Sequence, residues 1–266
     1  MTELLDGPDG GRIEILRTGS GQPVTVFGHG IAASIAQTRP FGSGVQGTRV
    51  YLHFPGHGAS TAPAPSTAPW SYAALAGDLR TVADHTGATR ALGVSMGAHA
   101  LLSLLASTPD RFERLAFVIP AALDSPSPSE HGGEMADLVE RRDVESLARM
   151  LVAGQPAAVR DLPAVRVWAR RHATEIAGTA LATALRAVPA QVPLPGGVDA
   201  LRAVAAPSLV IAQEGDDLHP VAVAVRLAET LPNARLEVLP PGGVLWRDRN
   251  RLRELVSGHF NATSDL

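Results

Sequence analysis

Short apolar segments alternate along the chain with longer amphipathic segments, which is typical of an α/β protein. The short segments are rich in branched and aromatic residues and predict β-strands. They cover residues 12–16, 23–27, 49–54, 89–94, 115–119, 209–213 and 235–239. Because strands that alternate with helices are joined by right-handed crossovers, the pattern predicts an α/β fold with a mainly parallel twisted sheet and flanking helices.

Helical patterns separate most of the predicted strands. Ser71 is expected to cap a helix at its N-terminus, and Gly87 is expected to end that helix. Helices are predicted from about Ala32 and over residues 72–85, 96–107, 220–231 and 248–259.

The alternation stops between residues 123 and 206, where no segment predicts a strand. Helical patterns occur there near residues 134–151, 157–172 and 173–187. We therefore predict an α/β core formed by residues 1–122 and 207–266. Residues 123–206 would be a helical cap, or lid, inserted over the carboxyl ends of the strands.

The amino-acid composition and charge argue against several classes of protein and of site. The chain has 266 residues, of which 45% are hydrophobic and 18% charged, so it can bury a large core. A net charge of −3 gives no reason to expect binding to nucleic acid. The absence of cysteine excludes disulfides, cysteine-ligated zinc and thiol nucleophiles. We expect no signal peptide and no membrane span, and therefore a cytoplasmic protein. We also expect no metal and no cofactor, and a small molecule as the substrate. The protein could form a homodimer.

The sequence Gly93-Val94-Ser95-Met96-Gly97 is a G-x-S-x-G motif between a predicted strand and a predicted helix. A serine on such a sharp turn is strained, so its neighbours must be small, which the two glycines provide. The turn would lift the Ser95 hydroxyl above the sheet, beside the free N–H groups of the new helix. We predict that Ser95 is a nucleophile on this elbow.

A second loop follows the predicted strand 23–27 and reads His29-Gly30-Ile31. Acyl transfer needs two N–H donors aimed at the developing oxyanion. We predict that the backbone N–H groups of Ile31 and Met96 form this oxyanion hole. His29 is a candidate for contact with the substrate, although a structural role in the turn is the favoured interpretation of its side chain.

Taken together, these motifs resemble those of the α/β-hydrolase superfamily, and the resemblance covers most of the chain. The segment 55–60, Pro-Gly-His-Gly-Ala-Ser, is similar to the family's D-x-x-G-x-G-x-S loop, with His53 where an aspartate often stands. The segment 214–220 is similar to the family's acid loop, in which the acid precedes a helix-starting proline by four residues. The resemblance therefore implies that Asp216 is the catalytic acid.

One departure concerns the catalytic base. The family's histidine should follow the last strand, and Val244 occupies that position. A serine hydroxyl needs a base within hydrogen-bond reach, so another residue must serve or the reaction differs. His219 is the best substitute, because it follows Asp216 on a loop at the same end of the sheet. Of the other histidines, we expect His57 and His99 to be structural and His131 and His172 to be exposed on the cap. His259 lies in the last helix and is an unlikely base. Asp124 is an alternative to Asp216 as the acid.

Trp246 and Leu245 lie where the histidine loop should be. With Trp168 and Met135 from the cap, they would line the pocket with apolar surface and suit a hydrophobic ligand. Three functions stay open. The first is a serine hydrolase with a relocated base that acts on a small ester, thioester or lactone. The second is a lyase or cyclase of the same fold, and the third is a catalytically silent ligand-binding protein.

Overall fold

The computed structural model describes residues 2–63, 70–127 and 132–262. One sheet of eight strands, in the order β1-β2-β4-β3-β5-β6-β7-β8, forms its centre. The strands are β1 (Thr2–Asp6), β2 (Arg12–Thr18), β3 (Val24–Gly28), β4 (Thr48–Leu52), β5 (Arg90–Val94), β6 (Arg114–Val118), β7 (Ser208–Gln213) and β8 (Ala234–Leu239). Strands β1 and β2 pair antiparallel, and the strands from β4 to β8 run parallel. The predicted mainly parallel sheet is confirmed.

Helices cover both faces of the sheet. They are α1 (Ile35–Thr38), α2 (Tyr72–Thr86), α3 (Met96–Ser107), α4 (Gly132–Glu140), α5 (Val144–Ala153), α6 (Pro163–Ile176), α7 (Leu181–Ala187), α8 (Val221–Thr230) and α9 (Arg249–Asn261). The helices α2, α3 and α8 pack on one face, and α1 and α9 pack on the other. Strands β3, β6 and β7 are buried along their whole length and β5 is buried from Ala91 onward, as expected of strands covered on both faces.

The residues at its two ends determine where helix α2 begins and where it ends. The hydroxyl of Ser71 accepts a hydrogen bond from the N–H of Ala74 at 3.2 Å, which caps the first turn of α2. Gly87 ends the helix with a φ of 65°, a left-handed conformation that suits glycine. Both predictions from the sequence are confirmed.

Several predicted boundaries are wrong. Strand β1 was not predicted, because its alternation is short and mostly exposed. The helix expected from Ala32 begins at Ile35 and lasts one turn, since Ala32 itself is left-handed with a φ of 53°. The predicted helix 134–151 is two helices, because Arg142 has a φ of 57° and Asp143 caps a new helix.

In the described part of the segment between β6 and β7 the regular elements are helices, chiefly α4, α5, α6 and α7, joined by turns and irregular backbone. The predicted helix 157–172 begins only at Pro163, and α6 then continues to Ile176. Residues from α4 to α7 form an apolar cluster of their own, which also includes Ala32 from the core. The division into a core and a cap at residues 123 and 206 stays a prediction.

Among the described residues, no helix combines the length and the hydropathy needed to cross a bilayer.

Candidate active site

Ser95 lies on a strained turn between β5 and α3. Its φ of 49° and ψ of −112° are unusual for a residue with a side chain, and they cost on the order of 1–3 kcal/mol. The turn is held because the N–H of Ser95 donates to the carbonyl of Val118 at 3.0 Å, and the N–H of His99 donates to the carbonyl of Ser95 at 3.1 Å. The side chain faces a large cavity at the carboxyl ends of the strands.

The two glycines of the motif let the chain turn this sharply. A Cβ added to Gly93 would lie 2.4 Å from the carbonyl oxygen of Gly97, and a Cβ added to Gly97 would lie 2.5 Å from that of Gly28. Both contacts are with backbone, which cannot move aside without opening the elbow or strand β3.

Replacing Gly97 by alanine is therefore expected to destabilise the fold by about 1–3 kcal/mol, since the added methyl must displace backbone atoms. Gly258 provides the control, because it lies within α9 and a Cβ there would meet nothing within 4 Å. Gly258→Ala should stabilise the protein slightly, by about 0.5–1 kcal/mol. Urea denaturation measures both changes, and equal stabilities for the two variants would contradict this view of the elbow.

A chain of hydrogen bonds joins Ser95 to a histidine and an acid. The distance from Ser95 Oγ to His219 Nε2 is 3.0 Å. On the other side of the ring, His219 Nδ1 lies 2.8 Å from Asp216 Oδ2. Nδ1–H therefore donates to the carboxylate, which leaves Nε2 free to accept the proton of the hydroxyl. The structure thus brings together the three residues that the sequence singled out as nucleophile, base and acid.

Asp216 and His219 belong to one turn after β7. Asp216 Oδ1 accepts the N–H groups of Leu218 at 3.1 Å and of His219 at 3.2 Å. Burial raises the pKa of Asp216, but the hydrogen bond from His219 and those from the backbone outweigh it and lower the pKa. The carboxylate is therefore ionised at neutral pH and can orient the imidazole.

Ile31 and Met96, the predicted oxyanion donors, line the same cavity as Ser95. Met96 is the first residue of α3, where backbone N–H groups lack partners within the helix. Gly30 brings the other loop close, since a Cβ added there would lie 3.5 Å from the Cβ of Ser95. The use of the two amides as an oxyanion hole stays a prediction.

The cavity has a volume of about 1030 Å³. Trp168, Leu245, Trp246 and Met135 all line it, so the structure places the four predicted apolar residues around Ser95. The rings of Trp168 and Trp246 meet edge to face with centroids 5.5 Å apart, which joins the segment between β6 and β7 to the segment after β8.

Val244 is buried in the position where the family has its histidine. It belongs to a single π-helical turn, Gly243–Arg247, and packs in the apolar cluster beneath α9. Its side chain also lines the cavity. The turn therefore contributes apolar surface there and brings no imidazole to Ser95.

The structure does not bring the side chain of His29 to the cavity, so the expected contact with substrate is not supported. Its ring is completely buried. Nδ1 donates to the carbonyl of Gly30 at 2.7 Å, and Nε2 accepts the N–H of Phe54 at 3.0 Å. Both ring nitrogens are used within the fold, which matches the structural interpretation.

Three other histidines, His57, His99 and His259, also use a ring nitrogen within the fold. His57 Nε2 accepts the N–H of Ala32, and His99 Nε2 accepts the N–H groups of Ala121 and Ala122. His259 Nε2 donates to the carbonyl of Leu115, away from Ser95. His131 lies outside the described residues.

The structure also shows the contacts of His172 and Asp124. His172 is buried rather than exposed, stacks on Trp168 with ring centroids 5.4 Å apart, and lines the cavity. Asp124, the alternative acid, forms an ion pair with Arg226 and, among the described residues, makes no hydrogen bond to a histidine.

Two glutamines at the cavity were not singled out in the sequence. Gln155 accepts a hydrogen bond from Trp246 Nε1 at 2.8 Å, which fixes that ring in the cavity wall. Gln213, at the end of β7, is buried against the cavity, and its Oε1 has no hydrogen-bond partner among the described residues. Only the position of Gln213 just before the acid loop could have indicated it.

No protein-family profile matches the sequence. Among solved structures, the enol-lactonase from Burkholderia xenovorans LB400 is similar, with a TM-score of 0.81 and 20% identity over 98% of this chain and 100% of that one. The esterase from Exiguobacterium antarcticum has a TM-score of 0.77 and 18% identity, covering 98% and 100% of the two chains. A thermophilic esterase from Thermogutta terrifontis has a TM-score of 0.76 and 21% identity, covering 97% and 96%. This chain therefore has the α/β-hydrolase fold.

Proposed function

We propose that this protein is a serine hydrolase that cleaves a small hydrophobic ester, thioester or lactone. Ser95 is the nucleophile, His219 the general base and Asp216 the acid that orients the base. The observation that carries the proposal is the unbroken chain of hydrogen bonds, 3.0 Å and 2.8 Å long, from the Ser95 hydroxyl through His219 to Asp216.

The chemistry follows from the tautomer of His219. As Ser95 Oγ attacks the substrate carbonyl, its proton passes to His219 Nε2, and Asp216 stabilises the imidazolium. The carbonyl oxygen becomes an oxyanion, which the N–H groups of Ile31 and Met96 would stabilise by hydrogen bonds. When the tetrahedral intermediate collapses, the leaving alcohol or thiol takes the proton from His219. Water activated by the same base then hydrolyses the acyl-enzyme.

The cavity supports an apolar substrate. Its lining includes Trp168, Trp246, Leu245 and Met135 beside polar residues, and these apolar side chains favour the burial of hydrocarbon or aromatic groups. The similar structures include an enol-lactonase and esterases, so ester and lactone cleavage by this fold fits the proposal.

A fluorophosphonate probe tests the assignment of the nucleophile. We expect it to form one covalent adduct on Ser95, located by mass spectrometry, because among the described residues Ser95 is the serine whose hydroxyl contacts an imidazole. Ser95→Ala should abolish both the adduct and the hydrolysis of p-nitrophenyl butyrate. Ser127 also lines the cavity, so Ser127→Ala is the matched control and should be labelled like the wild type.

The outcomes separate the candidate functions. An unlabelled wild-type protein would remove the serine-hydrolase proposal. Turnover of an apolar substrate that survives in Ser95→Ala would instead favour a lyase or cyclase, in which no acyl-enzyme forms.

A further inference from the structure

The loop that carries Ile31 adopts an unfavourable conformation that its own sequence does not explain. Ala32 has a φ of 53°, in the left-handed region that residues with a Cβ rarely adopt. Its side chain is buried, with 4% of its surface exposed. The loop's own turn hydrogen bond, from the N–H of Ala33 to the carbonyl of Gly30 at 3.1 Å, holds this conformation together with contacts from outside the loop.

Two imidazoles supply these contacts from the loop after β4. The N–H of Ala32 donates to His57 Nε2 at 3.0 Å, and the N–H of Ile35 donates to His53 Nε2 at 2.9 Å. The two imidazoles therefore hold the backbone at Ala32 and at Ile35, the two ends of the segment that leads from Ile31 into α1.

The tautomer of each imidazole is fixed by its other nitrogen. His57 Nδ1 donates to the carbonyl of Pro55 at 2.9 Å, and His53 Nδ1 donates to Glu14 Oε2 at 2.7 Å. Each Nε2 must then carry a lone pair, which is what a backbone N–H requires. Because it is buried, His57 has a pKa lowered to about 4 and is neutral in the working range of most enzymes.

A small movement of this loop would change the position of the Ile31 amide relative to Ser95. Gly30 lies against Ser95, and Ile31 is the residue between Gly30 and the left-handed Ala32. If the N–H of Ala32 lost its acceptor, the peptide plane next to the Ile31 amide could rotate out of line with the oxyanion.

We propose that His57 is a positioning residue for the oxyanion hole: its Nε2 holds the N–H of Ala32 and thereby aims the N–H of Ile31 at the oxyanion formed on Ser95. His53 supports the same loop one step further on, at Ile35. This inference rests on the proposed serine-hydrolase function, and neither histidine touches the substrate.

Two amide variants of His57 test the role of Nε2. In His57→Gln the side-chain oxygen reaches about as far as Nε2 and can still accept the N–H of Ala32. In His57→Asn the side chain is one carbon shorter and cannot reach it. We expect His57→Asn to lower kcat by about 10²-fold with little change in KM, the cost of a misplaced oxyanion donor, and His57→Gln to keep most of the activity.

A trifluoromethyl ketone provides the second measurement, because its adduct with Ser95 carries an oxyanion that mimics the tetrahedral intermediate. Its inhibition constant should rise in His57→Asn by the same factor as kcat falls. His259→Asn is the control for loss of a buried histidine, since His259 donates to Leu115 far from Ser95. It should lower the melting temperature without changing kcat.

The results distinguish this inference from the proposed function. A wild-type protein that hydrolyses esters, together with a His57→Asn variant of unchanged kcat and inhibitor affinity, would overturn the role of His57 alone. Equal losses in His57→Gln and His57→Asn would also overturn it, since the Nε2 acceptor would then not matter. If His57→Asn fails to fold, His53→Gln and His53→Asn give the same comparison at Ile35. A wild-type protein that is neither active nor labelled at Ser95 would remove both proposals.

Discussion

Replacing His219 by glutamine is expected to lower kcat by about 10⁴–10⁶-fold, the usual cost of losing one member of a serine-hydrolase triad. The reason is geometric: Nε2 of His219 lies 3.0 Å from Ser95 Oγ, within reach of its proton. KM should change little, because the histidine takes its proton only as the bond forms. Steady-state hydrolysis of p-nitrophenyl butyrate measures both constants.

The neighbouring acids provide a matched pair of controls. Asp216→Asn should lower kcat by a similar factor, since an amide can donate to Nδ1 and so select the wrong tautomer of His219. Asp217 follows it on the same loop, but the ring of His219 bonds to Asp216 and not to Asp217, so Asp217→Asn should leave kcat within a few-fold of the wild type. A fully active His219→Gln variant would show that the base lies elsewhere.

The elbow could be predicted because its requirements are local. A serine between two glycines, after a buried strand and before a helix, determines its own turn, and the structure shows both glycines packed against backbone. Asp216 and His219 could also be predicted as site residues from the sequence. They follow β7, and the carboxyl end of that parallel strand lies at the same end of the sheet as Ser95. Their contact with Ser95 could not be derived from spacing alone, because 124 residues separate His219 from the serine.

The remaining features depend on tertiary contacts. The sequence gives no reason for Arg142 to adopt a left-handed conformation, so one predicted helix is in fact α4 and α5. The contacts of His53 and His57 with the loop after β3 also have no signature along the chain. They arise because β3 and β4 are parallel neighbours, which places the loops after them side by side.

The arrangement of acid and base explains how Val244 can stand where a histidine is expected. Asp216 and His219 are three residues apart in one turn, and Asp216 Oδ1 accepts the backbone N–H of His219 while Oδ2 binds its ring. One loop therefore provides both groups in a fixed relation. In the proposed mechanism the turn after β8 supplies no base, and its residues Val244, Leu245 and Trp246 line the cavity instead.

Acidification from pH 7 to pH 5 is expected to destabilise this protein by several kcal/mol. Burial lowers the pKa of His57 and His259 to about 4 and that of His99 to about 3. In the unfolded chain these rings have a pKa of about 6.5, so below that pH the unfolded state binds protons that the folded state refuses. Each ring then costs about 2 kcal/mol at pH 5, and the cost grows until the pH reaches the folded pKa.

One buried acid opposes this trend and offers a way to check the cause. Burial raises the pKa of Asp78 to about 7, so the folded state binds a proton there that the unfolded state releases, and acidification from pH 7 stabilises the fold by about 2–3 kcal/mol through this group. The three histidines outweigh it, and these four groups together give a net loss of about 3–4 kcal/mol at pH 5, a large part of the 5–15 kcal/mol typical of a domain. Burial also lowers the pKa of His29, which adds to the loss. Urea denaturation at the two pH values should show this loss, and Asp78→Asn should show a larger one. An equal urea midpoint at pH 7 and pH 5 in the wild type would mean that the buried imidazoles accept protons without unfolding.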